Sequence, residues 1–357
     1  MYETRLIFKP FIALIDTLGY AVFWWRRLKR MPEPKKILCI RIDHIGDVLL
    51  TTPAFRALRK RFPNARIDVL IRSFSKGILK GNKNIDRIIE FDALWLGLYG
   101  RRATAEETRK KINELATERY DIVIDFHADP RNILLARRVG KYTVGYGVRG
   151  FGFLHNKVVR YPCNTHQIQR NLALVRALGA DSSPNLELHI SDTAKRNAQL
   201  LLKKAGRHKL VCITPASGRK EKYWLNERWA NVADSLIERY DVFIVLTGRK
   251  TDAVDVSEII SAMKHKKKVI NLVGKTSLQD LCAVIKRCAF FVGPDTGPAH
   301  IARAFNVPLL ELFGPEDPNR WGYSEEKYRN VWKRRMSDIT VDDVVNEIAR
   351  MKVLRAI

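Results

Sequence analysis

Three short stretches carry residue types that can do chemistry, and each comes directly after an apolar run. In the first, Arg41-Ile42-Asp43-His44-Ile45-Gly46-Asp47-Val48 follows Lys36-Ile37-Leu38-Cys39-Ile40. Gly46 permits a tight turn or a close ligand approach, and Asp47 then falls in the first turn of a helix. A carboxylate so placed can take a proton from a hydroxyl, or it can simply favour the positive end of the helix. The second stretch runs from Thr214 to Trp224. There Ser217 and Gly218 offer a hydroxyl and open backbone N–H groups, and Arg219, Lys220 and Lys222 offer positive charge to a phosphate. A plain reading of the same loop is a solvated basic turn. The third stretch is Asp295-Thr296-Gly297-Pro298-Ala299-His300, set between Phe290-Phe291-Val292 and Ile301-Ala302-Arg303. It reads as a strand, a tight turn and the start of a helix, with Thr296 or Asp295 as the capping residue. The first turn of a helix has N–H groups without intrahelical partners and a partial positive charge, so an anion such as a diphosphate is stabilised there. Gly297 lets a ligand near the backbone, and Pro298 costs nothing where N–H groups are unpaired.

These stretches must be positioned by the elements around them. After the Pro32-Glu33-Pro34 linker, short β-rich runs alternate with helical segments, which implies parallel sheets covered on both faces. Strands are expected at 36–42, 67–71, 87–91 and 121–126. A helix over Gly46–Phe62 is kinked or restarted near Pro53, and another covers Thr165–Leu178. A helix at Ser191–Ala205 precedes a second set, with strands at 209–214, 242–246, 269–273 and 290–292 and an end at 307–315. Two doubly wound α/β halves follow from this, with the cleft between them as the default ligand site. The domain reading is 1–35 as an amphipathic segment and linker, 36–185 and 186–335 as the two halves, and 336–357 as a C-terminal helix. Gly145-Tyr146-Gly147-Val148-Arg149-Gly150 matches a dinucleotide fingerprint in letters, but neither helical periodicity nor a cap follows it. It is read as a glycine-rich loop, which removes a nicotinamide-dependent oxidoreductase.

At 357 residues the chain suits two domains, and its formal charge of +26 favours a polyanionic partner. The charge has no recognition helix or RNA-binding signature beside it, so nucleic acid is not the expected partner. The five cysteines show no metal spacing and suggest a reducing setting with mostly buried thiols. Residues 1–30 hold an apolar run, Leu6 to Trp25, that is broken by Lys9, Pro10 and Asp16, is too short for a spanning helix, and is followed at once by Arg26-Arg27-Leu28-Lys29-Arg30. Paired tryptophans beside a basic cluster fit a helix lying in the cytoplasmic membrane interface. The alternative is a helix that packs on the protein's own surface or on a second subunit.

Ile40 to Ala54 together with Val292 to Ala302 resembles the family 9 glycosyltransferases, the ADP-heptose:lipopolysaccharide heptosyltransferases. The likeness runs over roughly residues 36 to 350 and implies a GT-B fold, two Rossmann-like domains facing a central cleft. It also implies inverting transfer from an ADP-sugar to an anionic glycolipid, with no metal and no cofactor. Residue by residue, Asp47 becomes the general base, and Ser217, Gly218 and Lys222 the phosphate loop. Asp295, Thr296, Gly297 and His300 become the diphosphate and sugar contacts, and Asp252 a candidate for the ribose. Asp43, His44, Gly46 and Thr51 are candidates on the acceptor side. Asp43-His44 replaces the serine pair of the best known heptosyltransferases, and Ser217-Gly218 replaces two threonines. These departures bear on the sugar and acceptor rather than the reaction class. An epimerase acting on nucleotide-sugars is the alternative within the same fold. The expected location is cytoplasmic, against the inner face of the cell membrane.

Overall fold

Among the described residues twelve strands form two six-stranded sheets, and every pairing between the named strands is parallel. The computed structural model describes residues 9–96 and 103–354, so part of the amphipathic N-terminal stretch, residues 1–8, and residues 97–102 and 355–357 lie outside the described residues. The chain divides between Glu187 and Leu188 into two compact units.

In the first unit the strands are β1 (Lys36–Ile40), β2 (Arg66–Ile71), β3 (Arg87–Glu90), β4 (Tyr120–Asp125), β5 (Gly140–Gly145) and β6 (Lys157–Val158). Their spatial order is β3-β2-β1-β4-β5-β6. The helices are α1 (Lys9–Val22), α2 (Ile45–Leu49), α3 (Thr52–Arg61), α4 (Lys76–Leu79), α5 (Ala105–Thr117), α6 (Pro130–Val139) and α7 (Gln167–Arg176). Such a sheet is buried on both faces, which is why β1 and β4 read as apolar runs rather than alternating ones. Ile37, Leu38, Cys39 and Ile40 are all fully buried. Sequence reading missed β5, β6 and α6. The glycine-rich loop is indeed no dinucleotide turn: Gly145 ends β5, and only a short 3₁₀ turn, Gly152–Leu154, follows.

The second unit holds β7 (Leu210–Ile213), β8 (Phe243–Leu246), β9 (Val269–Asn271), β10 (Phe290–Pro294), β11 (Leu309–Phe313) and β12 (Tyr328–Trp332). Their order is β12-β11-β10-β7-β8-β9, the first unit's winding repeated. The set therefore does not end at 307–315, since β12 extends the sheet by one edge strand. Its helices are α8 (Asp192–Leu201), α9 (Asn226–Tyr240), α10 (Ala253–Ala262), α11 (Leu278–Lys286), α12 (Gly297–Ala304), α13 (Pro318–Trp321) and α14 (Val341–Met351). The C-terminal helix α14 belongs to this unit, where Val344, Val345 and Ile348 join the core that contains Leu236 and Val331.

In each unit the winding reverses between two central neighbours, β1 and β4 in one, β7 and β10 in the other. Loops leaving the carboxyl ends of such a pair diverge, and a crevice opens between them. The three chemical stretches all begin at these ends.

The N-terminal segment packs one face on the first unit. Tyr20 and Phe23 contact Phe153, at ring-centroid distances of 6.1 and 5.6 Å. The Asp16 carboxylate accepts from the Phe151 N–H at 2.8 Å. Arg26 is buried and donates to Leu154 O and Asn156 Oδ1, both at 3.2 Å. The reading of a helix on the protein's own surface thus describes this face.

Candidate functional site

The crevice of the first unit is built from the loops after β1 and β4. Chain direction changes sharply there because α2 is only five residues long and Pro53, in the first turn of α3, restarts the helix. The break would orphan carbonyls, but Thr51 Oγ1 donates to Asp47 O at 2.8 Å and Asn171 Nδ2 donates to Leu50 O at 2.9 Å. Thr51, expected on the acceptor side, is fully buried and serves this joint instead. Gly46 is buried within α2.

Asp47 sits in the first turn of α2, and its Oδ1 accepts from Arg41 Nη2 at 2.8 Å. The Arg41 guanidinium, 2% exposed, also donates to Phe126 O at 2.7 Å, so its plane is fixed from both loops. Asp43 Oδ2 lies 3.8 Å from Arg41 Nη1 and 3.7 Å from His127 Nε2. Burial disfavours charge on Asp43, but His127 and Arg41 outweigh it and hold the carboxyl below its ordinary range. Burial lowers His127 in turn, with Asp43 opposing. Arg149 Nη1 approaches His127 Nε2 at 3.3 Å. Asp125 anchors the β4 turn by accepting from the N–H groups of His127 and Ala128, each at 3.1 Å, while burial pushes it up to about 7. His44, at the N-cap position of α2, is exposed. The result is a carboxylate oriented by a buried cation, with a second carboxylate, Asp43, between that cation and His127, which Arg149 approaches. Arg41, His127 and Arg149 were absent from the sequence-derived site, although His127 follows a strand end just as Asp43 does.

The second unit assembles its crevice from the loops after β7 and β10. Lys222 Nζ donates to Asp295 Oδ2 at 2.6 Å and to Asp295 O at 3.2 Å, which joins the two stretches that sequence reading singled out separately. Ser217 is buried, and its Oγ accepts from Arg219 N at 3.3 Å, while Gly218 is exposed. Neither expected residue caps α12 with its side chain: Thr296 holds the N-cap position, but its Oγ1 donates to Pro294 O at 3.1 Å, and Asp295 pairs with Lys222. Gly297 opens the helix behind them. His300 is buried, with Nδ1 3.0 Å from Tyr323 Oη and Nε2 3.7 Å from Asp295 Oδ1. Burial, then the nearby Glu311, holds the Tyr323 phenol well above its ordinary range. Asp252 does not stand open to a ribose: it accepts from Arg249 N, Nε and Nη2 at 2.7, 3.2 and 2.8 Å. Arg249 in turn reaches Ser217 O at 3.3 Å, so Asp252 braces the loop after β7 at one remove.

Glu311 was not foreseen. It lies in the middle of β11, fully buried, in register with Gly293, and no side chain hydrogen-bonds to it. Burial, then the charge on Asp295, holds it well above the ordinary carboxylate range, and Lys222 opposes more weakly. A carboxyl raised by folding contributes fully below its unfolded pKa, and that contribution is lost as pH rises toward the folded value. Glu311→Gln is therefore expected to match the parent in thermal stability near pH 4 and to exceed it at pH 8 by on the order of 1–3 kcal/mol. Parallel melting curves across that range would show no divergence if Glu311 were ionised in the folded protein.

Comparison with known proteins adds a second line. The sequence profile described as Glycosyltransferase family 9 (heptosyltransferase) matches residues 108–346. A lipopolysaccharide heptosyltransferase 3 from Escherichia coli is 30% identical over 288 residues, covering 77% of this chain and 82% of that protein. The crystal structure of a family 9 glycosyl transferase from Veillonella parvula superposes with a TM-score of 0.77 at 25% identity, over 89% of this chain and 97% of that one. The ADP-heptose lps heptosyltransferase II of E. coli superposes with a TM-score of 0.73 at 23% identity, over 88% of this chain and 98% of that one.

Proposed function

Since the chain belongs to glycosyltransferase family 9 and is a glycosyltransferase of the heptosyltransferase kind, we propose that it moves a heptose or related sugar from an ADP-sugar to a hydroxyl of a lipopolysaccharide core or related glycolipid. The second unit takes the donor. Ser217, Gly218 and the opening of α12 meet the diphosphate, and Lys222 turns from Asp295 to the phosphate oxygens as charge grows on the departing ADP. Asp295 and His300 then face the sugar hydroxyls. The first unit takes the acceptor. Asp47 removes the hydroxyl proton while the oxygen attacks the anomeric carbon; one C–O bond forms, the bond to ADP breaks, and configuration inverts. A lysine and helix N–H groups supply the positive charge that a metal would otherwise bring. Arg149 and His127, which cluster with Asp43, are assigned to the anionic groups of the acceptor. With such a glycolipid as acceptor, the enzyme works at the inner face of the cell membrane.

One observation carries this reading. At the winding reversal of one sheet stands a carboxylate oriented by a buried arginine, and at that of the other a lysine beside a helix N-terminus. A thermal-shift panel of ADP, UDP and GDP tests the donor. A ligand at 100 times its dissociation constant stabilises by about 2.7 kcal/mol, so ADP should raise the melting midpoint clearly and the other two should not. A shift with UDP or GDP alone would reject the adenine nucleotide.

A further inference from the structure

The face of the N-terminal segment turned away from the first unit is unlike any other surface of the described residues. Phe11, Leu14, Leu18 and Val22 lie at spacings of three, four and four along α1, and Trp24, Trp25 and Leu28 continue them in the 3₁₀ turn; all seven are more than half exposed. Spacing of that kind puts the helical members in one stripe. Contiguous apolar surface of this sort marks an interaction site. Arg27, Lys29 and Arg30 are exposed beside it. The only acid among residues 9–30, Asp16, is turned inward onto Phe151.

The opposite face is fastened. Gly19 sits against the Phe153 ring so closely that an added Cβ would lie 2.3 Å from Cδ1. Asn156 Nδ2 donates to Arg26 O at 2.9 Å while its Oδ1 accepts from Arg26, and Lys29 Nζ donates to Lys141 O at 2.7 Å. Segment and domain are thus one folded body, and the stripe is displayed without further ordering.

We propose that residues 9–30 are a preassembled platform that docks the first unit onto an anionic bilayer, with the apolar stripe in the headgroup–acyl boundary and Arg27 and Arg30 at the phosphates. The proposal deepens the reading of a glycolipid acceptor and rests on it for its purpose. Charge selects the occupant. A second copy pressed against this face would bring Arg27 and Arg30 toward their equivalents, whereas an anionic surface neutralises them. Exposed tryptophans suit a wet, half-apolar boundary. Among the described residues no helix is long and apolar enough to cross a membrane, so the segment lies along the surface, about 5–10 Å deep.

Co-sedimentation of the full chain with vesicles tests this. The parent should pellet with phosphatidylcholine vesicles containing phosphatidylglycerol and much less with phosphatidylcholine alone. Trp24→Ala with Trp25→Ala changes only exposed side chains and should weaken binding more than ~10-fold, since each ring loses most of its buried area. Arg27→Gln with Arg30→Gln should weaken binding to the anionic vesicles and flatten its salt dependence. Equal pelleting of parent and tryptophan variant overturns the proposal. So does light scattering that shows a dimer of the parent and a monomer of the variant, which would assign the face to a second copy. Turnover on a deacylated, water-soluble acceptor separates the two readings: its absence in a parent that still binds vesicles defeats the enzymatic assignment and leaves the docking intact.

Discussion

Asp47→Asn is expected to lower turnover by about 10²–10⁴, the usual contribution of a general base, while the affinity for ADP stays unchanged. The substitution is chosen for what it leaves in place. Asparagine keeps an oxygen that accepts from Arg41 Nη2, so the turn after β1 retains its anchor and only the basicity is lost. ADP is assigned to the other unit, so calorimetric titration of the variant should give the parent's dissociation constant. Turnover within tenfold of the parent would remove Asp47 from the mechanism. The companion change is harsher. Arg41 is almost fully buried and faces both Asp43 and Asp47, so Arg41→Met would strand two carboxylates and cost on the order of 3–5 kcal/mol, which confounds activity with folding.

The second large effect lies at Lys222, where binding and stability should separate. Lys222→Ala removes a charge-assisted contact worth about 1.5–3 kcal/mol to the diphosphate, a loss of roughly ten- to a hundredfold in ADP affinity. It also leaves Asp295, 6% exposed, without its ammonium partner at 2.6 Å. Breaking a buried pair from one side costs about 3–5 kcal/mol. Adding Asp295→Asn to Lys222→Ala removes the stranded charge, so the double variant should melt close to the parent and still bind ADP weakly. A double variant as unstable as the single one would show that the pair does not set the stability of this unit. Recovery of ADP affinity in the double variant would show that Lys222 acts on Asp295 and not on the ligand.

The acid after β1 and the turn after β10 could be read from the chain because strand, glycine-bearing turn and helix start are local signals. Their partners could not. Lys222 meets Asp295 only because β7 lies beside β10, and strands 80 residues apart in sequence announce no such adjacency. Arg41 resembles any basic residue at a strand end until its burial is known, and Glu311 is a single acid in an apolar run. Thr51 and Asp252 show the reverse. Their types fitted ligand contact, yet each spends its polar atoms on its own turn, a competition with the backbone that short polar side chains commonly win. The apolar period of α1 was plain in the sequence. That Asp16 and Arg26 point inward, fastening it, became plain only from the fold.

The chain passes from one compact unit to the other between Glu187 and Leu188. The N-terminal segment returns to the first half and α14 to the second, so a single covalent crossing joins two uninterrupted cores. Genes of distant relatives cut and spliced at this joint would divide neither hydrophobic interior, and, with acceptor and donor held by separate units as proposed, such hybrids would let selection revise what is glycosylated independently of what is donated.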